Sequence, residues 1–137
     1  MSFEEIRVVC VVYFSALAPL ICLIYKRDSL PKSVLSLYAC IFIACAFGWE
    51  LWFTYGWIDG DPVNIRRSAA LNTWIPQDIN WLINSLADAG TIALGGLYIT
   101  WLLCRRDDAI FIAWSWKAFS IFLLWCLAQN IGVEMFL

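Results

Sequence analysis

Four long apolar runs separated by short clusters of charge dominate this sequence. Each is about 20 residues, the length an α-helix needs to cross a hydrocarbon core. They cover residues 6–25, 32–57, 79–104 and 109–130. A soluble chain of 137 residues cannot bury so much apolar surface: 63% of them are hydrophobic and only 15% charged. Soluble domains sit near one half and one quarter. The expected fold is an all-α membrane protein, a single domain of four transmembrane helices in an antiparallel bundle. The expected location is integral and multi-pass.

Basic residues beside the runs set the orientation. Lys26, Arg27, Lys32, Arg105 and Arg106 fall on one side, and Arg7, Arg66 and Arg67 on the other. This balance predicts both termini, with the outer loop 58–78, on the non-cytoplasmic side. Glu4 and Glu5, not a basic segment, precede the first run, which reads as a retained helix. Pro19 is expected to kink it. Asp59-Gly60-Asp61-Pro62 is a turn signal, and residues 69–74 suit a short helix along the interface.

Several function classes are excluded at this level. A net charge of −2 without a basic stripe argues against a nucleic-acid partner. The chain has no histidine, which removes histidine-ligated haem and the usual zinc sites. Asp59, Asp61 and Asp78 lack EF-hand spacing. No metal and no cofactor is expected. The six cysteines form no C-x-x-C pair and read as small buried hydrophobes.

Ionisable groups inside the spans carry the functional signal, because each costs about 2.5–3.5 kcal/mol to insert. Glu50 lies in the second run and Asp88 in the third, at similar depth below the outer surface. Asn80, Asn84, Asp88 and Thr91 recur at helical spacing and share one face. The opposite face carries Ala89, Ala93, Gly96 and Thr100, small residues that suit close helix packing and allow homo-oligomers. Thr54 and Trp57 follow Glu50 along its own face. Trp49, Trp52 and Trp57 surround it in sequence, and aromatic faces stabilise cations. Two carboxyl groups close together in apolar surroundings can share one proton, one acting as acid while the other stays ionised. Glu50 and Asp88 are therefore the candidate catalytic pair. Trp49, Trp52, Thr54, Trp57, Asn80, Asn84 and Thr91 are the candidate substrate-binding residues.

Structural readings stand beside these. Asn80 sits at a membrane boundary, where polar residues need no special cause. Lys117 reads as a snorkelling side chain about eight residues into the fourth span. Asn130 and Glu134 suit either the mouth of the site or a solvated helix end. Arg66 and Arg67 suit either a phosphate or lipid head group or a loop anchor.

Gly48-Trp49-Glu50-Leu51 and Ala87-Asp88-Ala89-Gly90 resemble two short patches of the small integral-membrane terpene cyclases of meroterpenoid pathways. In that family an intramembrane Trp-Glu pair and a distant aspartate protonate and guide an isoprenoid chain. The resemblance implies Glu50 as the acid and Asp88 as its partner. The pattern also resembles the emopamil-binding sterol isomerase group, compact helical bundles with carboxylates and aromatics facing a sterol pocket. The expected partner is thus a hydrophobic, isoprenoid-like small molecule or a lipid. The competing class is non-enzymatic: a small proton-coupled transporter, or an accessory subunit of a larger membrane complex.

Overall fold

The structure is a computed structural model that describes residues 1–57 and 60–136. Asp59 lies outside the described residues, as do the side chains of Asn130 and Glu134. The described chain is helical, and three stretches in it are long and apolar enough to cross a membrane: Phe3–Lys26, Lys32–Tyr55 and Gln77–Leu103.

Helix α1, Phe3–Lys26, opens with a capping box. Ser2 accepts from the Glu5 N–H, and the Glu5 carboxylate accepts from the Ser2 N–H, so two otherwise orphaned donors are satisfied. The second stretch is not one helix. It divides at Gly48 into α2, Lys32–Phe47, and α3, Trp49–Tyr55. The φ of −87° and ψ of −120° at Gly48 leave the helical region. A Cβ there would lie 2.4 Å from the Ala44 carbonyl oxygen, so glycine alone fits the bend. Helix α3 ends at Gly56, whose φ of +82° closes it in the left-handed conformation.

The segment between the second and third stretches carries α4, Val63–Arg66, and α5, Ala69–Trp74. Helix α5 covers the stretch expected from the sequence. Ser68 caps it by accepting from the Leu71 N–H, and also donates to Glu5 at the start of α1. The third stretch begins as α6, Gln77–Asp88, widens into a π-helix over Ala89–Gly95, and resumes as α7, Gly96–Leu103. Gly90 in the π segment lies against Pro19: a Cβ there would meet the proline ring at 2.7 Å. Pro19 is thus a packing surface on α1.

The expected start of the fourth span at residue 109 is displaced. Asp107 accepts from the Ala109 N–H and starts a 3₁₀ turn over Asp108–Phe111. The last helix, α8, spans Trp116–Phe136 and is capped by Ser115, whose hydroxyl accepts from the Ala118 N–H. These local caps outcompete the apolar pattern, which continues unbroken through the turn. Lys117 consequently sits in the first turn of α8, not eight residues inside a span.

The core lies where α2 meets the π segment. Tyr38, Ala89 and Ala93 form its centre, with Leu20 and Leu23 of α1 packed against it. Ala89 and Ala93 have no exposed surface, and Gly96 abuts Phe122 and Trp125 of α8. The small-residue face is therefore used inside the chain, where backbones approach closely, and is not a free surface for self-association. The cysteine expectation holds for Cys45, which is buried. Cys10, Cys22 and Cys40 instead lie exposed on the apolar exterior.

Candidate functional site

The two breaks face each other. Gly48 interrupts the second stretch just before Trp49 and Glu50, and the π-helix interrupts the third just after Asp88. Single-turn and longer π-helical insertions concentrate at functional sites, and broken helices are tolerated at membrane depth only where partners satisfy the backbone. Tryptophans supply those partners. Trp81 donates its indole N–H to the Ala46 carbonyl at 2.6 Å beside the Gly48 break. Trp125 of α8 donates to the Thr91 carbonyl at 3.0 Å within the π segment.

A third indole reaches the site itself. Trp49 donates to Oδ2 of Asp88 at 2.9 Å, linking α3 to the end of α6. Asn84, one turn before Asp88, lies within interaction reach of the Glu50 side chain. Glu50 and Asp88 lie close enough to interact electrostatically, and Cys45 lies within electrostatic reach of both. Both carboxylates are half-buried. Glu50 occupies the first turn of α3, where the helix dipole favours negative charge. The structure thus gathers Trp49, Glu50, Asn84 and Asp88 into one polar cluster, with Cys45 at its edge.

The other candidate residues go elsewhere. Thr54 and Asn80 belong to a buried tier nearer the outer loop, where the Asn80 amide donates to the Thr54 hydroxyl at 3.4 Å. Asn80 Oδ1 accepts from Arg67 at 2.8 Å. Arg67 also donates to Asn72 at 2.7 Å and to the Ile75 carbonyl. Burial lowers the Arg67 pKa from its usual value, yet arginine stays charged at any physiological pH. Gln77 completes the tier by donating to the Thr54 carbonyl. Asn80 and Arg67 are therefore structural struts, and Arg67 is an anchor, not a head-group ligand. Arg66 donates to the Phe53 carbonyl and ties the same loop down.

Trp52 and Trp57 are 46% and 69% exposed and face outward. Their place around Glu50 in sequence does not become a place in the cluster, because successive helical positions point about 100° apart. Exposed Trp57 and Trp74 mark the end bearing α4 and α5, and exposed Trp114 and Trp116 mark the other, as interfacial girdles do. Thr91 turns its hydroxyl to the Ala87 carbonyl at 3.0 Å and stays on its own helix.

Sequence reasoning missed Trp81, Trp125 and Cys45. For Trp125 the available signal was position, inside the run 109–130; Trp81 stands near the start of its run and gave none. No group of three cysteine or acidic side chains that could hold a metal occurs among the described residues. Among the described residues, grooves lie at the opposite end of the bundle. The chain matches no family model, no curated protein and no solved structure.

Proposed function

We propose that this chain is a four-span membrane protein, both termini on the non-cytoplasmic side, that holds a hydrophobic isoprenoid-like molecule against Glu50 and Asp88 for acid–base chemistry of the cyclase or isomerase type. The observation that carries the reading is the convergence of Trp49, Glu50, Asn84 and Asp88 between two helix breaks. A carboxylate pair at membrane depth is expensive, and such pairs mark relays and binding sites. In this reading one carboxyl group delivers a proton to an alkene or epoxide and the other recovers one from the resulting cation. In this reading the Trp49 ring, held at Asp88 by its N–H, stabilises the positive charge. Asn84 and the Trp49 N–H hold the two acids in place. The fourth span of this reading is α8, Trp116–Phe136, of which Trp116–Gln129 is an apolar helix shorter than the three spanning stretches.

The direct test is product formation. Protein in lipid nanodiscs is incubated with farnesyl- and geranylgeranyl-bearing alkenes and epoxides, and the extract is analysed by gas chromatography with mass detection. Cyclised or isomerised product that disappears with Glu50→Gln and with Asp88→Asn is the expected result. Identical extracts from wild type and both variants would refute the acid–base reading.

A second reading is favoured by the bonds themselves. Asp88 is satisfied by Trp49, and Asn84 lies within reach of Glu50. This is the arrangement of a polar clamp in an accessory subunit or transporter, where the cluster sets helix register. In that case Glu50→Gln and Asp88→Asn lower thermal stability while no isoprenoid shifts the melting temperature.

A further inference from the structure

The end of the bundle opposite the carboxylates holds a feature that the proposed chemistry leaves unused. The chain leaves α7 through Arg105 and Arg106, both in the left-handed region with φ near +62° and +61°. Two successive arginines there are unusual, since that region favours glycine. The turn separates their side chains. Arg106 lies over the Trp101 ring at 5.7 Å, whereas Arg105 lines a recess of about 330 Å³ together with Lys117. Lys117 comes from the first turn of α8, whose N-terminal dipole adds to the positive field. Neither cation is in an ion pair among the described residues. The recess also contains Asp107, whose carboxylate is turned to the Ala109 N–H at 2.9 Å.

Beside this recess lies an apolar slot of about 300 Å³. Leu37, Leu97, Phe119 and Phe122 line it, and Thr100 is at its wall. The two spaces share Ile110, Ala113, Trp114 and Ser115 as lining, so the charged recess and the apolar slot adjoin along that segment. Exposed Trp114 and Trp116 stack edge to face at 5.3 Å beside it, at the level where tryptophans meet lipid head groups.

We propose that this composite site binds one anionic phospholipid, with its phosphate between Arg105 and Lys117 and an acyl chain in the slot. Charge complementarity selects an anion, and the adjoining slot selects an amphiphile over a free phosphate. The site rests on the membrane reading alone and is independent of any chemistry at Glu50 and Asp88.

The test uses the full chain in detergent, titrated with phosphatidylglycerol or with phosphatidylcholine of the same chain length, and read by native mass spectrometry. Wild type is expected to retain phosphatidylglycerol at about thirtyfold lower concentration, as two basic contacts would give. Arg105→Gln/Lys117→Gln is expected to erase that preference, and Arg27→Gln, at the same end outside the recess, to keep it. Ala113→Phe, which fills the slot, is expected to weaken both lipids. Equal retention of the two lipids by wild type would overturn the proposal without recourse to any variant. So would equal loss of preference in Arg27→Gln, which would show a diffuse charge effect. A rise in melting temperature with inorganic phosphate matching that with phosphatidylglycerol would overturn the lipid assignment.

Discussion

The Trp49 indole N–H donates to the Asp88 carboxylate across 2.9 Å, joining two helices at the level where each is broken. The bond explains how an acid is kept half-buried between the two helices. It also places the indole ring beside the residue that a guest would meet.

Trp49→Phe keeps the ring and removes the donor. Interhelical hydrogen bonds in bilayers average about 0.6 kcal/mol, and leaving a carboxylate without its donor adds to that loss, for a total of about 1–2 kcal/mol. The expected outcome is a lower melting temperature in nanodiscs. Asp88→Asn retains an acceptor for the indole and should cost less. Equal stability of wild type and Trp49→Phe would show that the bond carries no weight.

Much of this arrangement was legible in the sequence, and the reasons are specific. The face of Asn80, Asn84 and Asp88 followed from helical spacing, and α3 does receive it. The packing face of Ala89, Ala93, Gly96 and Thr100 followed from residue size. The breaks did not follow. Gly48 in an apolar run looks like any other small residue, and a π-helix has no composition of its own. Nor could the sequence divide nine tryptophans into girdle and staple. Trp52 and Trp49 are neighbours in the chain, yet one faces outward and the other binds Asp88. The start of α8 was lost for a related reason: Ser115 and Asp107 act through one hydrogen bond each, against a continuous apolar background.

Arg67 reaches Asn72, Ile75 and Asn80, and so fixes the outer loop to the start of α6. Arg67→Met removes every one of these donors and strands the Ile75 carbonyl, on a residue only 1% exposed. The expected cost is about 2 kcal/mol, concentrated in the loop. Limited proteolysis should cut within residues 60–75 faster than in wild type, before the melting temperature falls by a comparable fraction. Arg67→Lys should not rescue, because an ammonium cannot reproduce the fork.

The proposed orientation makes a separate prediction. In a background with all six cysteines replaced, Asp28→Cys and Asp107→Cys should react with a membrane-impermeant maleimide from one face of oriented vesicles. Asp61→Cys and a cysteine appended after Leu137 should react from the other. Labelling of the appended cysteine from the Asp28 face would remove α8 from the set of spanning helices.

Three glycines of the third stretch should respond to alanine in a fixed order. A Cβ on Gly90 would lie 2.7 Å from both Cβ and Cγ of Pro19, a rigid ring that cannot turn aside, so α1 and the π segment must separate. A Cβ on Gly96 would lie 2.7 Å from the Phe122 ring edge and 2.8 Å from Trp125, and a ring can rotate to relieve part of that. A Cβ on Gly95 meets Trp125 at 3.4 Å, close to ordinary contact. Overpacking costs about 1–3 kcal/mol, whereas alanine gains up to about 1 kcal/mol over glycine in a helix. Gly90→Ala should therefore lower the melting temperature most, Gly96→Ala less, and Gly95→Ala little or not at all. Pro19→Gly removes both atoms that Gly90→Ala strikes, so the double variant should be more stable than the sum of the single losses predicts. Strict additivity would show that Gly90 is required for the π-helix itself and not for the passage of α1.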